Sequence, residues 1–321
     1  MRQAGRYMEE YQQIRERYCF LEMCKRPEVA AEVTLQPVDK LGVDAAILFS
    51  DLLIPVEAMG VEIEFQENTG PVIQDPIRDA EAVESLGIPD PAEDMPFVGE
   101  SIRIVRKHLE GKVPLIGFSG APFTLASYVV EGGGSRNYEN IKAMMYNSPK
   151  TYRALMDKIS DTLILHLNAQ IEAGAQALQL FDSWVGCMSP YDYEKYVLPF
   201  SKKVIDGIEA DGVPLIHFAT GASALLELMR KAGGDVIGVD WRINLDEAWE
   251  RIGYNVGIQG NLDPAALLGP VSEIEDRVKD ILKRAENRPG HIFNLGHGVL
   301  PQTPVDNVIA MVKFVKKWSR R

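Results

Sequence analysis

The chain is poor in the residues that build metal and disulfide sites. Cysteine occurs three times in 321 residues, as Cys19, Cys24 and Cys187. An odd number at these spacings makes neither a disulfide framework nor a zinc ligand set, and it points to a reducing, cytoplasmic setting. No apolar run reaches the roughly 18 residues of a membrane span. No basic-then-apolar leader opens the chain, so secretion is not expected. Basic residues are also short: 34 against 46 acidic, a net charge of −12. That balance argues against nucleic acid and anionic membrane as partners. It sets a condition too: a polyanionic ligand must be held by a local cluster of cations against the overall field. Linkers and low-complexity tracts are missing, so residues 1–321 are expected to form one domain, of a size usual for barrels.

What the chain has is a repeated unit. Residues 9–41 read as helices, with Pro27 and Glu28 fitting a first turn. Residues 43–50 (VDAAILFS) form an apolar run of the kind found in strands buried on both faces. The stretch to residue 96 reads as an excursion with a small hairpin, VEIEF against PVI, followed by a helix over 97–111. Strand-like runs then recur at 113–118 (VPLIGF), 175–181 (AQALQLF), 214–218 (PLIHF), 236–239, 255–259 (NVGIQ) and 291–295 (HIFNL). Helical patterns separate them at 150–173, 190–210, 222–233, 245–252, 271–287 and 304–319. Asp263-Pro264 looks like an N-cap followed by proline at the first helical position. Seven strands alternating with helices predict a parallel α/β sheet. Polar or small residues at their carboxyl ends point to a single (β/α)8 TIM-type barrel, with a doubly wound sheet as the alternative. The eighth strand is expected at the chain start, where the first barrel element would be truncated.

Several residues could carry chemistry. Arg2 and Arg6 flank Gln3, Ala4 and Gly5. Two guanidinium forks on one short segment can grip several carboxylates, and Gly5 permits close approach of backbone to ligand; the plain alternative is a frayed terminus with two solvated cations. Asp51 ends FSD, where it is either a cap or a carboxylate at the mouth of an apolar barrel. Tyr128 falls about one turn into the helix that follows Gly120 and Pro122. The glycines at 132–134 have neither dinucleotide-binding nor Walker spacing. Ser183 follows LFD without the partners of a nucleophile, so its hydroxyl reads as a hydrogen-bonding group. His297 lies between two glycines. His108 and His166 read as ordinary helix residues.

These motifs resemble the uroporphyrinogen decarboxylase family: MRQAGRY, FSD, GFSGAPFTL through Tyr128 to EGGG, ALQLFDS, GNLDP and LGHG, in family order and over nearly the whole chain. In that family a Pro-x-Trp-x segment precedes the first motif. Met8-Glu9 stands where Leu-Pro is usual, and Gln12 where Arg is common. The resemblance implies removal of carbon dioxide from the four acetates of uroporphyrinogen III, giving coproporphyrinogen III, without metal or organic cofactor. It implies a homodimer acting on a small-molecule substrate. It assigns catalytic roles to Asp51, Arg2, Tyr128 and His297. Substrate binding falls to Arg2, Gln3, Ala4, Gly5 and Arg6, together with Asp51, Tyr128, Ser183 and His297. Asp51 would accept hydrogen bonds from the pyrrole N–H groups, and Arg2 is the candidate proton donor or relay. Two other readings share the barrel: a zinc-dependent methyltransferase and a silent tetrapyrrole carrier. Methyltransferases similar to this family carry a His-x-Cys ligand pair; here the sequence is His217-Phe218-Ala219, with no later cysteine, which argues against zinc.

Overall fold

A computed structural model describes residues 2–66, 70–209 and 212–319. Its strands are β1 (Ala46–Ile47), β2 (Glu64–Gln66), β3 (Gly70–Val72), β4 (Leu115–Gly120), β5 (Ala177–Asp182), β6 (Leu215–Ala219), β7 (Val236–Gly238), β8 (Gly257–Leu262) and β9 (His291–Leu295). Seven of them form one parallel sheet in the order β1-β4-β5-β6-β7-β8-β9. β2 and β3 pair antiparallel as the expected small hairpin, whose turn lies outside the described residues. Parallel neighbours need long crossovers, and helices supply them.

Alternation along the strands sorts the core. Phe118, Phe181 and Phe218 face a central cleft. The opposite parity places Leu115, Leu178, Leu180 and Leu215, all buried, against the surrounding helices. Leu115 joins Ile102, Val105 and Leu109 of the helix Pro96–Leu109 in one apolar cluster. Burying each such side chain is worth about 1.5–3 kcal/mol.

Most helices lie where the patterning placed them: Glu9–Arg15, Phe20–Lys25, Pro27–Leu41, Pro149–Glu172, Leu245–Ile252, Val271–Ala285 and Val305–Trp318. Pro27 starts its helix, and the Asp263 carboxylate accepts from Ala265 N–H at 2.9 Å to cap a 3₁₀ turn, Pro264–Leu268. Three readings need correction. Residues 190–210 are not one helix: Pro190–Asp192, a π-type turn over Tyr193–Val197 and Leu198–Asp206 follow one another. Pro199 has no N–H to donate to the preceding turn, so a regular helix cannot run through it. The helix Glu139–Asn147 was not foreseen. Of residues 43–50, only Ala46 and Ile47 are strand.

That shortening has visible causes. Ala46 N–H donates to Pro114 O and Leu48 N–H to Ile116 O, while on the other edge Phe49 N–H donates to Thr34 Oγ1 at 2.9 Å, where a neighbouring strand would sit. On β4, the side chain of Gln170 takes both backbone groups of Phe118: its Oε1 accepts from the N–H at 2.9 Å, and its Nε2 donates to the carbonyl at 2.9 Å. Gly117 leaves room for that amide, because a Cβ there would strike Gln170 Oε1. The sheet therefore opens between β1 and β4, and the chain after Ile47 leaves it.

The expected eighth strand is not found among the described residues. Residues 2–7 instead form an irregular segment between the two ends of the sheet. Gln3 Nε2 donates to Ala45 O at 2.8 Å, and Arg2 Nη2 reaches Val299 O, just beyond β9, at 3.4 Å.

Candidate active site

The carboxyl ends of the strands open into a cleft of about 1570 Å³. Every site residue expected from the sequence lines it: Arg2 to Arg6, Asp51, Tyr128, Ser183 and His297. They arrive from five places in the chain, which the barrel alone brings together.

Asp51 is delivered by the departure of the chain from β1. Its Oδ1 accepts from Leu53 N–H at 2.9 Å, a local turn that fixes the carboxylate. Burial pushes its pKa up to about 6; the Leu53 N–H opposes that shift, Glu57 adds to it and Arg2 opposes it. Cys24, buried nearby, is pushed up by burial and then by Asp51. Arg2 is shifted down, first by burial and also by Arg6, while Tyr11 and Asp51 hold it up. Arg2, Arg6 and Arg15 make no ion pair with any described carboxylate, although all three line the cleft.

Tyr128 sits in the second turn of the helix Pro122–Glu131, about where the sequence placed it. Burial and then Asp51 push its hydroxyl up to about 12. Its ring meets Trp184 edge-on at 5.7 Å. Ser183 lies between Asp182, to which Thr124 and Ser201 hydroxyls donate at 3.4 Å each, and Trp184, whose N–H donates to Thr124 Oγ1 at 3.4 Å. His297 is lowered by burial and then by Arg2. Its Nδ1 accepts from Gly298 N–H at 2.7 Å, so the neutral ring carries its proton on Nε2.

Two expected site residues differ in detail. The Gln3 side chain is committed to the barrel wall, and Ala4 is buried. His217 lies on the outer face of β6, fully buried, 3.7 Å from Asp182. Its neighbour Phe218 faces the cleft. Among the described residues no three His, Cys, Asp or Glu side chains converge as metal ligands.

Sequence reasoning missed the floor. Phe118, Phe181 and Phe218 form an edge-to-face chain, with centroids 5.7 and 5.8 Å apart. The signal was there: GF, LF and HF recur near the ends of three neighbouring strands. Arg15, Tyr7, Trp184 and hairpin Phe65 were missed as well, because nothing in their local spacing distinguishes them from surface or core residues.

The arrangement defines an α/β barrel with an arginine-lined, phenylalanine-floored cleft at its carboxyl end. A methyltransferase from Methanosarcina mazei shares this fold, with a TM-score of 0.78 at 24% identity over 91% of this chain and 86% of that one. The family model described as uroporphyrinogen decarboxylase (URO-D) matches residues 1–318. Proteins named uroporphyrinogen decarboxylase are 58% identical in Carboxydothermus hydrogenoformans, covering 99% of this chain and 91% of that one. In Geobacter metallireducens the identity is 56%, covering 100% and 94%. The chain belongs to the uroporphyrinogen decarboxylase family.

Proposed function

We propose that this chain removes carbon dioxide from the four acetate side chains of uroporphyrinogen III, leaving methyls in coproporphyrinogen III. The observation that carries the reading is the meeting, over an apolar floor, of arginines without carboxylate partners among the described residues and one half-buried aspartate. The rim grips side-chain carboxylates, the floor takes the ring faces, and Asp51 accepts the central pyrrole N–H groups.

The chemistry needs no electron sink beyond the substrate. A proton adds to the pyrrole carbon next to the one bearing the acetate, making the ring cationic. The bond to the carboxylate breaks, carbon dioxide leaves, and its electron pair neutralises the ring as an exocyclic double bond. A second proton converts that carbon to methyl, and loss of the first restores the pyrrole. Asp51 stabilises the cation in a site where such preorganised charge is usually the largest catalytic term. Arg2, whose charge bears on that carboxylate, is the proton donor or relay. Burial lowers its pKa, which moves it in the direction an acid requires. Tyr128, Ser183 and His297 orient the macrocycle and its carboxylates, with the Nε2–H of His297 as a donor. We take the working form to be a single-domain barrel acting as a cytoplasmic homodimer, in keeping with the family resemblance.

The test is an anaerobic assay with uroporphyrinogen III and analysis of carboxylate number in the product, run with and without exhaustive chelation. Stepwise loss of four carboxylates, unaffected by chelator, is expected. Binding without turnover would leave a tetrapyrrole carrier, and zinc-dependent activity would revive methyl transfer.

A further inference from the structure

We infer that Gln3 is a positioning residue: its side-chain amide replaces a strand at the open edge of β1 and thereby sets the place of Arg2. In a parallel pair, one residue donates to the carbonyl before its opposite number and accepts from the N–H after it. Gln3 does this with a side chain. Nε2 donates to Ala45 O at 2.8 Å, and Oε1 accepts from Ile47 N–H at 3.2 Å. The residue between them, Ala46, turns its own N–H the other way, to Pro114 O at 2.9 Å. The primary amide thus occupies the position that one peptide unit of a neighbouring strand would take.

The rest of the segment is built on that anchor. Tyr7 hydroxyl donates back to Gln3 O at 2.6 Å, closing a loop of the chain over residues 3–7. Met8 N–H donates to Gly5 O at 3.0 Å, and Gln12 Nε2 to Arg6 O at 2.5 Å. Arg6 therefore has supports of its own. Among the described residues, the hydrogen bond that holds the Arg2 side chain is the 3.4 Å one to Val299 O, and its backbone adjoins Gln3. With Gln3 docked, Arg2 lies against Gly298, at the foot of His297 and in the field of Asp51. An amide committed at both ends is not available to a ligand, so Gln3 acts through Arg2 and not by touching substrate.

This rests on the reading of Arg2 as a residue that handles substrate, so the test has one arm without substrate. In the ligand-free wild-type protein, the Ile47 amide should exchange with solvent as slowly as its paired neighbours Ala46 and Leu48. Exchange at the rate of an unpaired amide would overturn the proposal, whatever the enzyme catalyses. The second arm uses Gln3→Met, which keeps length and shape and loses both hydrogen bonds. With both hydrogen bonds lost, kcat/KM should fall about tenfold or more. In an Arg2→Lys background the same substitution should have almost no further effect, the coupling expected of a residue that works through its neighbour. A full, additive loss in that background would place Gln3 on the substrate and sink the positioning role. If Gln3→Met fails to fold, the exchange arm alone decides.

Discussion

Asp51 is held where its charge is costly. Its folded pKa of about 6 lies above the ordinary carboxylate value of 3.8, so folding favours the protonated form. The sign follows directly. The contribution to stability is full below the unfolded value and is lost as pH rises through about 6. Above pH 6 the native protein carries the burden of an ionised carboxylate. Asp51→Asn keeps the acceptor for Leu53 N–H and removes that burden. We expect the variant to be more stable at pH 7–8 by about 1–2 kcal/mol, less than the full shift implies because the Asp51 side chain is partly exposed and solvent screens it. The gain should shrink as pH falls below 6, which thermal melts across pH would record. The same variant should lose about 10²–10³ in turnover, the usual cost of one preorganised group. In the wild type, kcat/KM should fall on the acid side near pH 6, since an ionised Asp51 is required and this parameter reports the free enzyme. Arg2, Glu57, Tyr128 and Cys24 are the titratable groups that bear on Asp51. His297, lowered below the ordinary imidazole range by burial and then by Arg2, is the rival for that limb. An acid limb that persists in Asp51→Asn would assign it to His297 and not to Asp51.

At the scale of elements, the cleft exists because the sheet is split between β1 and β4. Gln170 occupies the gap, and its Nε2 also lies 2.8 Å from His166 Nε2, so this buried histidine must accept there and stay neutral. Burial takes the pKa of His166 down to about 4, in agreement. Gly117→Ala would drive a methyl into the Gln170 amide. We expect a loss of about 1–3 kcal/mol, the usual range for overpacking a filled site, and a larger loss of activity than a surface change of equal stability would give. Urea unfolding and turnover at matched stability would show it; unchanged values of both would mean that the split does not depend on this wedge. This is also where legibility ended. Apolar runs such as VPLIGF and HIFNL announced strands by their composition, although Ile292 of the second is exposed in the folded chain. Residues 43–50 carry the same composition, yet pair at only two positions: the side chains of Gln3 and Thr34 bond their other edge, and Gln170 takes the Phe118 groups that they would otherwise meet on β4. Those long-range bonds leave no periodic trace. Likewise, the cleft-lining residues Arg2 to Arg6, Asp51 and His297 stand out in the chain because they lie in motifs that resemble the family's, while the local pattern at the chain start fits solvated cations as well. The phenylalanine floor depends on which strands become neighbours, and that is a property of the folded sheet.

At the scale of the whole molecule, electrostatics pull in two directions. The protein stands at −12, and its proposed substrate carries eight carboxylates, so the two repel at long range. Affinity must come from short contacts in the cleft. Arg6 is exposed to that cleft and joins Arg2 and Arg15 among cations without an ion-pair partner among the described residues. A charge-assisted hydrogen bond is worth roughly 1.5–3 kcal/mol, so Arg6→Ala should raise KM about tenfold or more. Salt separates the two scales. At about 0.1 M the screening length is near 10 Å, shorter than the span of the acidic surface and longer than a hydrogen bond. Moderate salt therefore weakens the distant repulsion while leaving the contacts largely intact. Wild-type KM should stay level or fall slightly as ionic strength rises from about 0.05 to 0.3 M. The decisive measurement is KM for wild type and Arg6→Ala across that range, under anaerobic conditions. A steep rise of wild-type KM with salt would mean that binding relies on loosely held surface charges, and an Arg6→Ala enzyme with wild-type KM would remove Arg6 from the clamp.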